Sequence, residues 1–464
     1  MLLQTSSPPG PDTRAPGGNA PPPRRRFYVP VRAKFASATL LGIAWCALSV
    51  WLSQAWLHDL GELIGAAPAL FVIAFIAYVP GFMNAFMAGS ILLDRRPRRR
   101  RLAEYPGVTV LVACYNEAAN IGDTLTSLFA QDYPGPLEVL VLDDGSTDDS
   151  AAIAERAIAA ATVAERHRFR VVRGERNVGK AGVLNRGLAM ASHELIVTID
   201  GDSWAYRDAL THIVERYHND PPHTRAVAGS VLVRNSRHNW LTRAQEWDYF
   251  HGIAAVKRMQ SLYHGTLVAQ GAFSLYDRAA LRDVGGWPES VGEDIVVSWA
   301  LLSRGWRIGY AEDAILFTNV PDRLGQFARQ RKRWSRGLFE AFRAYPGLLV
   351  KPRMSLMFIW WNLLFLPLDL VYTFAFIPGV VLALFGHYWI AGPLTLAVLP
   401  LAVLWNMAIF RVQNRVFRAQ ALRVRRNYGG FSFYVLAYSM ILQPVCVWGY
   451  VSELLGLRKR WGTK

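Results

Sequence analysis

Cysteine is nearly absent from this chain, with three residues in 464. Cys46, Cys114 and Cys446 have neither the spacing of a disulfide framework nor that of a zinc site. They carry no redox conclusion, and Cys46 and Cys446 lie in apolar runs where packing is their ordinary use. A P-loop is also missing. The stretch "NVGKAGVLNRGL" (177–188) sets Lys180 after a glycine but lacks the Gly-x-x-x-x-Gly-Lys-Ser/Thr spacing, which argues against a transporter. Acidic residues are scarce beside basic ones, 35 against 51, for a formal charge of +16. No cleavable signal peptide is expected, because the first apolar run starts beyond residue 30 and is too long for one.

Apolar residues, by contrast, are plentiful at 52%, with 12% aromatic. A bilayer core takes about 20 apolar residues in a helix. "AKFASATLLGIAWCALSVWLSQAWL" (33–57) and "APALFVIAFIAYVPGFMNAFMAGSILL" (67–93) each meet that length. The pattern divides the chain into a Pro- and Gly-rich disordered tail (1–32), two transmembrane helices (33–94), a mixed cytosolic domain (104–345), interfacial and transmembrane helices (346–456) and a basic tail (457–464). In the fourth region an interfacial segment would precede crossings at 368–388, 389–410 and 431–455, giving five in all, with 431–455 re-entrant as the alternative. Arg24-Arg25-Arg26 and "RRPRRRR" (95–101) flank the first two spans on one side, which the positive-inside rule makes cytoplasmic. Arginine runs also bind nucleic acid, but beside membrane segments the bilayer headgroups are the expected partner and no nucleic acid is. The expectation is a multi-pass protein of the plasma (inner) membrane.

Within 104–345, "VTVLVA" (108–113), "LEVLVLD" (137–143), "FRVVRG" (169–174) and "ELIVTID" (194–200) read as buried strands. Stretches 118–130, 146–165 and 180–191 have helical spacing between them. Such alternation predicts a largely parallel, Rossmann-like α/β sheet that binds ligands beyond its strands' carboxyl ends.

A polar cluster follows each such end. "ACYNEAANI" offers Tyr115 to stack on a planar base and Glu117 to accept its hydrogen bonds, or simply a loop entering a helix. In "DDGSTDDS" (143–150) capping explains Ser146 and Thr147 but not two preceding acids, which favours a ligand for Asp144. Lys180, near a helix start, suits phosphate, although a surface-turn lysine is commoner. "TIDGDSWAYRD" (198–208) sets Asp200 and Asp202 around one glycine. That is turn chemistry, or a hard-oxygen pair for Mg²⁺ or Mn²⁺, which binds through one or two carboxylates plus substrate phosphates.

This ordered set resembles the family 2 glycosyltransferases of GT-A fold. "GWPESVGEDIVVSWALLSRGW" (286–306) resembles the family's acidic-pair segment at Glu293-Asp294, and "QRKRW" (330–334) matches the Gln-x-x-Arg-Trp signature of its processive, membrane-embedded branch. That branch includes the poly-N-acetylglucosamine, chitin-type, hyaluronan and cellulose synthases. The resemblance spans about 104–345 and implies a GT-A domain inserted between transmembrane helices. It implies that Tyr115, Glu117 and Asp144 hold uridine, that Lys180 faces the nucleotide, and that Asp200 and Asp202 bind the diphosphate through Mg²⁺ or Mn²⁺. Asp294 would be the general base. Gln330 and Arg333 would engage the diphosphate, Trp334 would stack under the acceptor sugar, and "AQGAFSLYDR" (269–278) would be the acceptor-side strand and loop.

The implied activity is inverting transfer from a UDP-sugar, most of all UDP-N-acetylglucosamine, to a growing β-linked polysaccharide that the membrane helices translocate. The polysaccharide acceptor, the bilayer and an accessory secretion subunit are the implied partners. Single-sugar transfer to a lipid, and a catalytically silent nucleotide-sugar-binding component, are the alternatives. Arg329, Arg331, Lys332, Arg333 and Arg336 also read as a basic amphipathic helix on a membrane surface. Two departures stand out. Gly292 takes a position where many relatives carry threonine, and no cyclic-dinucleotide-sensing β-barrel is expected after the last apolar segment, which favours hexosamine polymers over cellulose.

Overall fold

The computed structural model describes residues 29–95, 99–166, 168–263, 265–424 and 426–458. The tail arginines 24–26, part of the 95–101 run and the end of the basic C-terminal segment lie outside them.

The four expected strands form, as β1 (Val108–Cys114), β2 (Leu137–Asp143), β3 (Phe169–Arg173) and β4 (Leu195–Asp200). All four run parallel in the order β3-β2-β1-β4. β-Branched residues on both faces explain their burial, because helices cover a parallel sheet on each side. Val110, Val112, Val139 and Val197 join one apolar layer, while Leu111, Leu140 and Ile196 join the other.

Four further strands complete one mixed eight-stranded sheet: β5 (Ser203–Ala205), β6 (Thr224–Val233), β7 (Phe273–Asp277) and β8 (Arg307–Thr318). β7 runs antiparallel to β4 and β6, so the second half departs from the parallel pattern of the first. Register does the positioning. Ala113 lies opposite Asp200 and Cys114 opposite Asp143, so the carboxyl ends of β1, β2 and β4 are level. The backbone extends this alignment, with Gly201 N–H donating to Ala113 O at 2.9 Å and Asp144 N–H to Cys114 O at 2.9 Å.

Among the described residues, three helices are long and apolar enough to cross a membrane: Val31–Leu52, Ala66–Leu92 and Leu356–Leu384. Tyr428–Leu436 and Tyr438–Leu454, bent by 51° between them, make a fourth if counted as one span. The first two coincide with the expected hairpin. Leu356–Leu384 is one run of 29 residues, where the sequence suggested an interfacial segment ahead of a separate crossing. Pro367 lies inside this run, and a π-turn follows at Tyr372–Phe376. Tryptophans of the apolar helices fall in separate places: Trp361 packs on Phe86, Trp405 near Ile91 and Ile409, and Trp389 O accepts from Trp56 Nε1 at 2.7 Å.

The helix Leu324–Ala344, which carries Gln330, Arg333 and Trp334, joins the α/β module to the apolar C-terminal helices. Arg331 and Arg336 are 5% and 4% exposed, so they do not belong to a solvated basic face. Arg331 pairs with Asp248 at 2.6 Å and Arg336 with Glu453 at 2.9 Å. On its other side this helix meets the start of Glu293–Ser303. Glu340 there accepts from Val291 N–H at 3.1 Å and Gly292 N–H at 3.3 Å, and Trp299 packs edge-on against Phe342. A Cβ on Gly292 would sit 2.5 Å from Gly337 Cα, so no larger residue fits here without a shift of the backbone. Gly292→Ala therefore forces the two helices apart. We expect about 1–3 kcal/mol lower stability, typical of an overpacked contact, read as a lower unfolding temperature of the detergent-solubilised protein.

Candidate active site

The level ends of β1, β2 and β4 bring three loops together, and side chains lace them. Asn116, at φ 55°, receives Thr147 N–H on its Oδ1 at 2.8 Å, while its own N–H donates to Ser146 Oγ at 3.0 Å. Glu117 N–H donates to Ser150 Oγ at 2.7 Å. Ser146 and Thr147, offered by the sequence as helix caps, instead fasten the Tyr115–Glu117 loop, and the helix Ser150–Ala160 has Asp149 at its N-cap with no side-chain cap bond. Tyr115 itself follows β1 directly and is partly buried. Asp144 is buried, and its two oxygens accept from Val178 N–H at 2.8 Å and Gly179 N–H at 2.9 Å. It clamps the turn that delivers Lys180. Burial raises the Asp144 pKa, the two N–H bonds oppose the rise, and the Asp143 charge adds to it.

Lys180 opens the helix Gly179–Met190 and is buried at the centre of the cluster. Its ammonium contacts Asp200 directly and stands 3.8 Å from Glu293 Oε1. Burial opposes its charge, but Asp200 and Glu293, with Asp294 behind them, raise its pKa overall. Asp202 accepts from Thr318 Oγ1 at 3.2 Å and Ser203 Oγ at 3.3 Å. Burial first, then the charges of Asp200 and Glu117, pushes it up to about 7. Glu293, 5% exposed, is also pushed up to about 7 by burial, with Asp294 adding to the rise and Lys180 and Arg333 opposing it.

Asp294 follows in the first helical turn. Ile295 N–H reaches its Oδ1 at 2.8 Å and Gly271 N–H its Oδ2 at 3.1 Å, so two backbone donors fix its plane. Gly271 is needed at this junction, because a Cβ there would stand 2.9 Å from Lys180 Nζ. Gly271 thereby borders both Lys180 and Asp294.

Of the sequence-predicted residues, Glu117, Lys180, Asp200, Asp202 and Asp294 share one electrostatic field, and the Arg333 charge reaches it through Glu293. Gln330 Oε1 is buried without a hydrogen-bond partner among the described residues. Trp334 is 38% exposed, with the Arg331 guanidinium 4.2 Å from its ring centroid. The sequence reading left out the counter-charge role of Glu293, the Gly271 N–H and the Thr318 bond to Asp202. Glu293 was visible beside Asp294. Thr318 was not, because only the Ser203–Thr318 pairing of β5 with β8 brings it close.

Among the described residues no group of three His, Cys, Asp or Glu side chains forms a metal cage. The donor set still fits Mg²⁺ or Mn²⁺, since such an ion takes one or two carboxylates and completes its shell with water and phosphate oxygens. Asp202, raised by burial and then by the charges of Asp200 and Glu117, is a carboxyl group that a nearby cation would help to ionise.

Residues 109–285 match the family model described as Glycosyl transferase family 2. The chain is 34% identical over 275 residues to the poly-beta-1,6-N-acetyl-D-glucosamine synthase of Staphylococcus aureus (strain COL), covering 57% of this chain and 64% of that protein. It is 33% identical over 277 residues to the synthase of the same name from Staphylococcus epidermidis, covering 57% and 65%. The chain thus spans just under two thirds of these relatives' lengths. In fold it is similar to a mannosyltransferase from Pyrobaculum calidifontis solved with GDP-Man and Mn²⁺, at a TM-score of 0.58 and 22% identity, covering 84% of this chain and 99% of that one.

Raised carboxyl groups have a stability signature. The unfolded chain ionises Asp202 near pH 4, whereas the folded protein keeps its proton until about pH 7. The associated stability is present below the lower value and is lost as pH rises through the upper one. In EDTA, Asp202→Asn should therefore raise the unfolding temperature more at pH 8 than at pH 5. Equal shifts at both pH values would mean that Asp202 titrates normally.

Proposed function

We propose that this chain, whose residues 109–285 match the family 2 glycosyltransferase model and which resembles the poly-β-1,6-N-acetylglucosamine synthases, transfers sugar from a UDP-sugar, foremost UDP-N-acetylglucosamine, to a growing β-linked polysaccharide. The observation that carries this reading is the joining of a nucleotide end and an acceptor end through Lys180, which faces Asp200 on one side and Glu293-Asp294 on the other.

Asp294 takes the proton of the attacking acceptor hydroxyl as that oxygen bonds to the sugar's anomeric carbon. The bond from that carbon to the diphosphate breaks, and UDP leaves with the electron pair. A sugar hydroxyl is a weak nucleophile, so proton removal has to accompany bond formation. The Ile295 and Gly271 N–H groups hold the carboxylate plane for that transfer. Lys180 and Arg333 bring positive charge to the leaving side, where charge develops. Bound between Asp200, Asp202 and the diphosphate, Mg²⁺ or Mn²⁺ would neutralise the leaving group. One displacement with one base inverts the anomeric centre, and no covalent sugar–enzyme bond is needed.

The reading extends to location. The α/β module lies in the cytosol, the apolar helices anchor it in the plasma membrane, and the bundle passes the product across, alone or with a secretion subunit. The Gln330–Trp334 segment, matching the signature of the processive branch, favours continuous extension over single-sugar transfer to a lipid.

Purified full-length protein offered labelled UDP-sugars with Mn²⁺ should form a polymer, and preferentially from UDP-N-acetylglucosamine. Single additions would overturn processivity, and a different preferred donor would overturn the sugar assignment. Asp294→Asn should slow transfer by about a thousandfold, within the usual range for a lost general base, while calorimetric UDP binding stays unchanged. Turnover retained in that variant would remove Asp294 from its role.

A further inference from the structure

We propose that Asp248 and Tyr438 are positioning residues for Trp334, acting through Arg331, so that the membrane helices set the orientation of the acceptor platform. This inference rests on the reading of Trp334 as the ring beneath the acceptor sugar.

Arg331 lies three residues before Trp334 on the helix Leu324–Ala344, and neighbours at that spacing share a helix face. One guanidinium nitrogen, Nη2, donates to Asp248 Oδ2 at 2.6 Å and to Tyr438 Oη at 3.1 Å. Tyr438 O–H in turn donates to Asp248 Oδ2 at 3.0 Å, which closes a three-membered network. Its members are 5%, 8% and 2% exposed. The guanidinium carbon stands 4.2 Å from the Trp334 ring centroid and 5.2 Å from that of Phe327. Trp334 is otherwise an exposed ring, and a fixed cation over one face narrows its orientations. Tyr249, next to Asp248, adds a second ring at 6.4 Å.

The network's anchors make it more than packing. Asp248 is the first residue of a π-helical stretch, Asp248–Ala255, within the helical run 240–262, and such stretches realign the residues that follow. Tyr438 is the first residue beyond the 51° elbow in the C-terminal helix pair. Arg331 is therefore held at once from an elbow in the membrane bundle and from an irregular helix outside the α/β sheet. A buried charge pair is a poor source of net stability but a good means of fixing geometry. Here the geometry fixed is that of the one large exposed ring on the helix that borders the candidate base.

The test uses full-length protein, the donor sugar that the wild type accepts, and a short oligomer of that sugar as acceptor. Asp248→Asn, Tyr438→Phe and Arg331→Lys should each raise the acceptor KM by about fivefold, the scale of a lost cation–π contact, with donor KM and UDP affinity unchanged. Arg331→Lys keeps the charge beside Asp248 but loses the planar group, so it should restore yield and not acceptor KM. In a Trp334→Ala background, Asp248→Asn should add nothing further to acceptor KM, because both changes act on one contact. If Asp248→Asn does not accumulate, Tyr438→Phe, which removes one hydroxyl, gives the same readout. A fall in kcat with unshifted acceptor KM, or additive effects with Trp334→Ala, overturns the inference alone. Absence of any sugar transfer by the wild type overturns the proposed function and this inference with it.

Discussion

Excess negative charge at the carboxyl ends of β1 and β4 is the constraint on which the site depends. Glu117, Asp200, Asp202, Glu293 and Asp294 act on one another there, and Lys180 is the ammonium buried among them. Burial first, and then neighbouring carboxylate charge, pushes Asp202 and Glu293 up to about 7, with Lys180 opposing the rise at both. Such a cluster is costly to fold and is tolerated where a cationic ligand completes it. The level strand ends, the Asp144 clamp on residues 178–179 and the side-chain-free space at Gly271 all keep Lys180 where this charge converges.

A second constraint joins the α/β module to the membrane helices. The Leu324–Ala344 helix touches the base-bearing helix through the Gly292–Gly337 approach and the Glu340 cap. On its other face Arg336 reaches Glu453 and also accepts no freedom of its own, because Nη2 donates to Leu457 O at 2.6 Å. The helix that carries Asp294 and the apolar C-terminal helices are thus tied to one element, Leu324–Ala344.

Much of this was legible in the residues. The four parallel strands and the polar clusters after them followed from β-branched runs that end in Asp and Gly. The resemblance singled out Asp294 and the Gln330–Trp334 segment, and the structure sets Asp294 beside Gly271 and the segment on the Leu324–Ala344 helix. The antiparallel half of the sheet was less visible, because β5 has three residues and β7 pairs through register that no local pattern encodes. The arginines of the Leu324–Ala344 helix were ambiguous for a related reason. A charge periodicity cannot tell a solvated cation from one whose partner, such as Asp248 or Glu453, lies 83 or 117 residues away. Gly292 illustrates the same limit, since its meaning lies in a helix that the chain reaches 45 residues later, at Gly337.

The central claim is that the acids after β4 need a divalent cation to receive a nucleotide diphosphate. Calorimetric titration of UDP into the full-length protein, with Mn²⁺ and again in EDTA, tests it most directly. The account predicts binding that depends on Mn²⁺ and is lost when Asp200 is changed to Asn. Equally tight UDP binding in EDTA would contradict it.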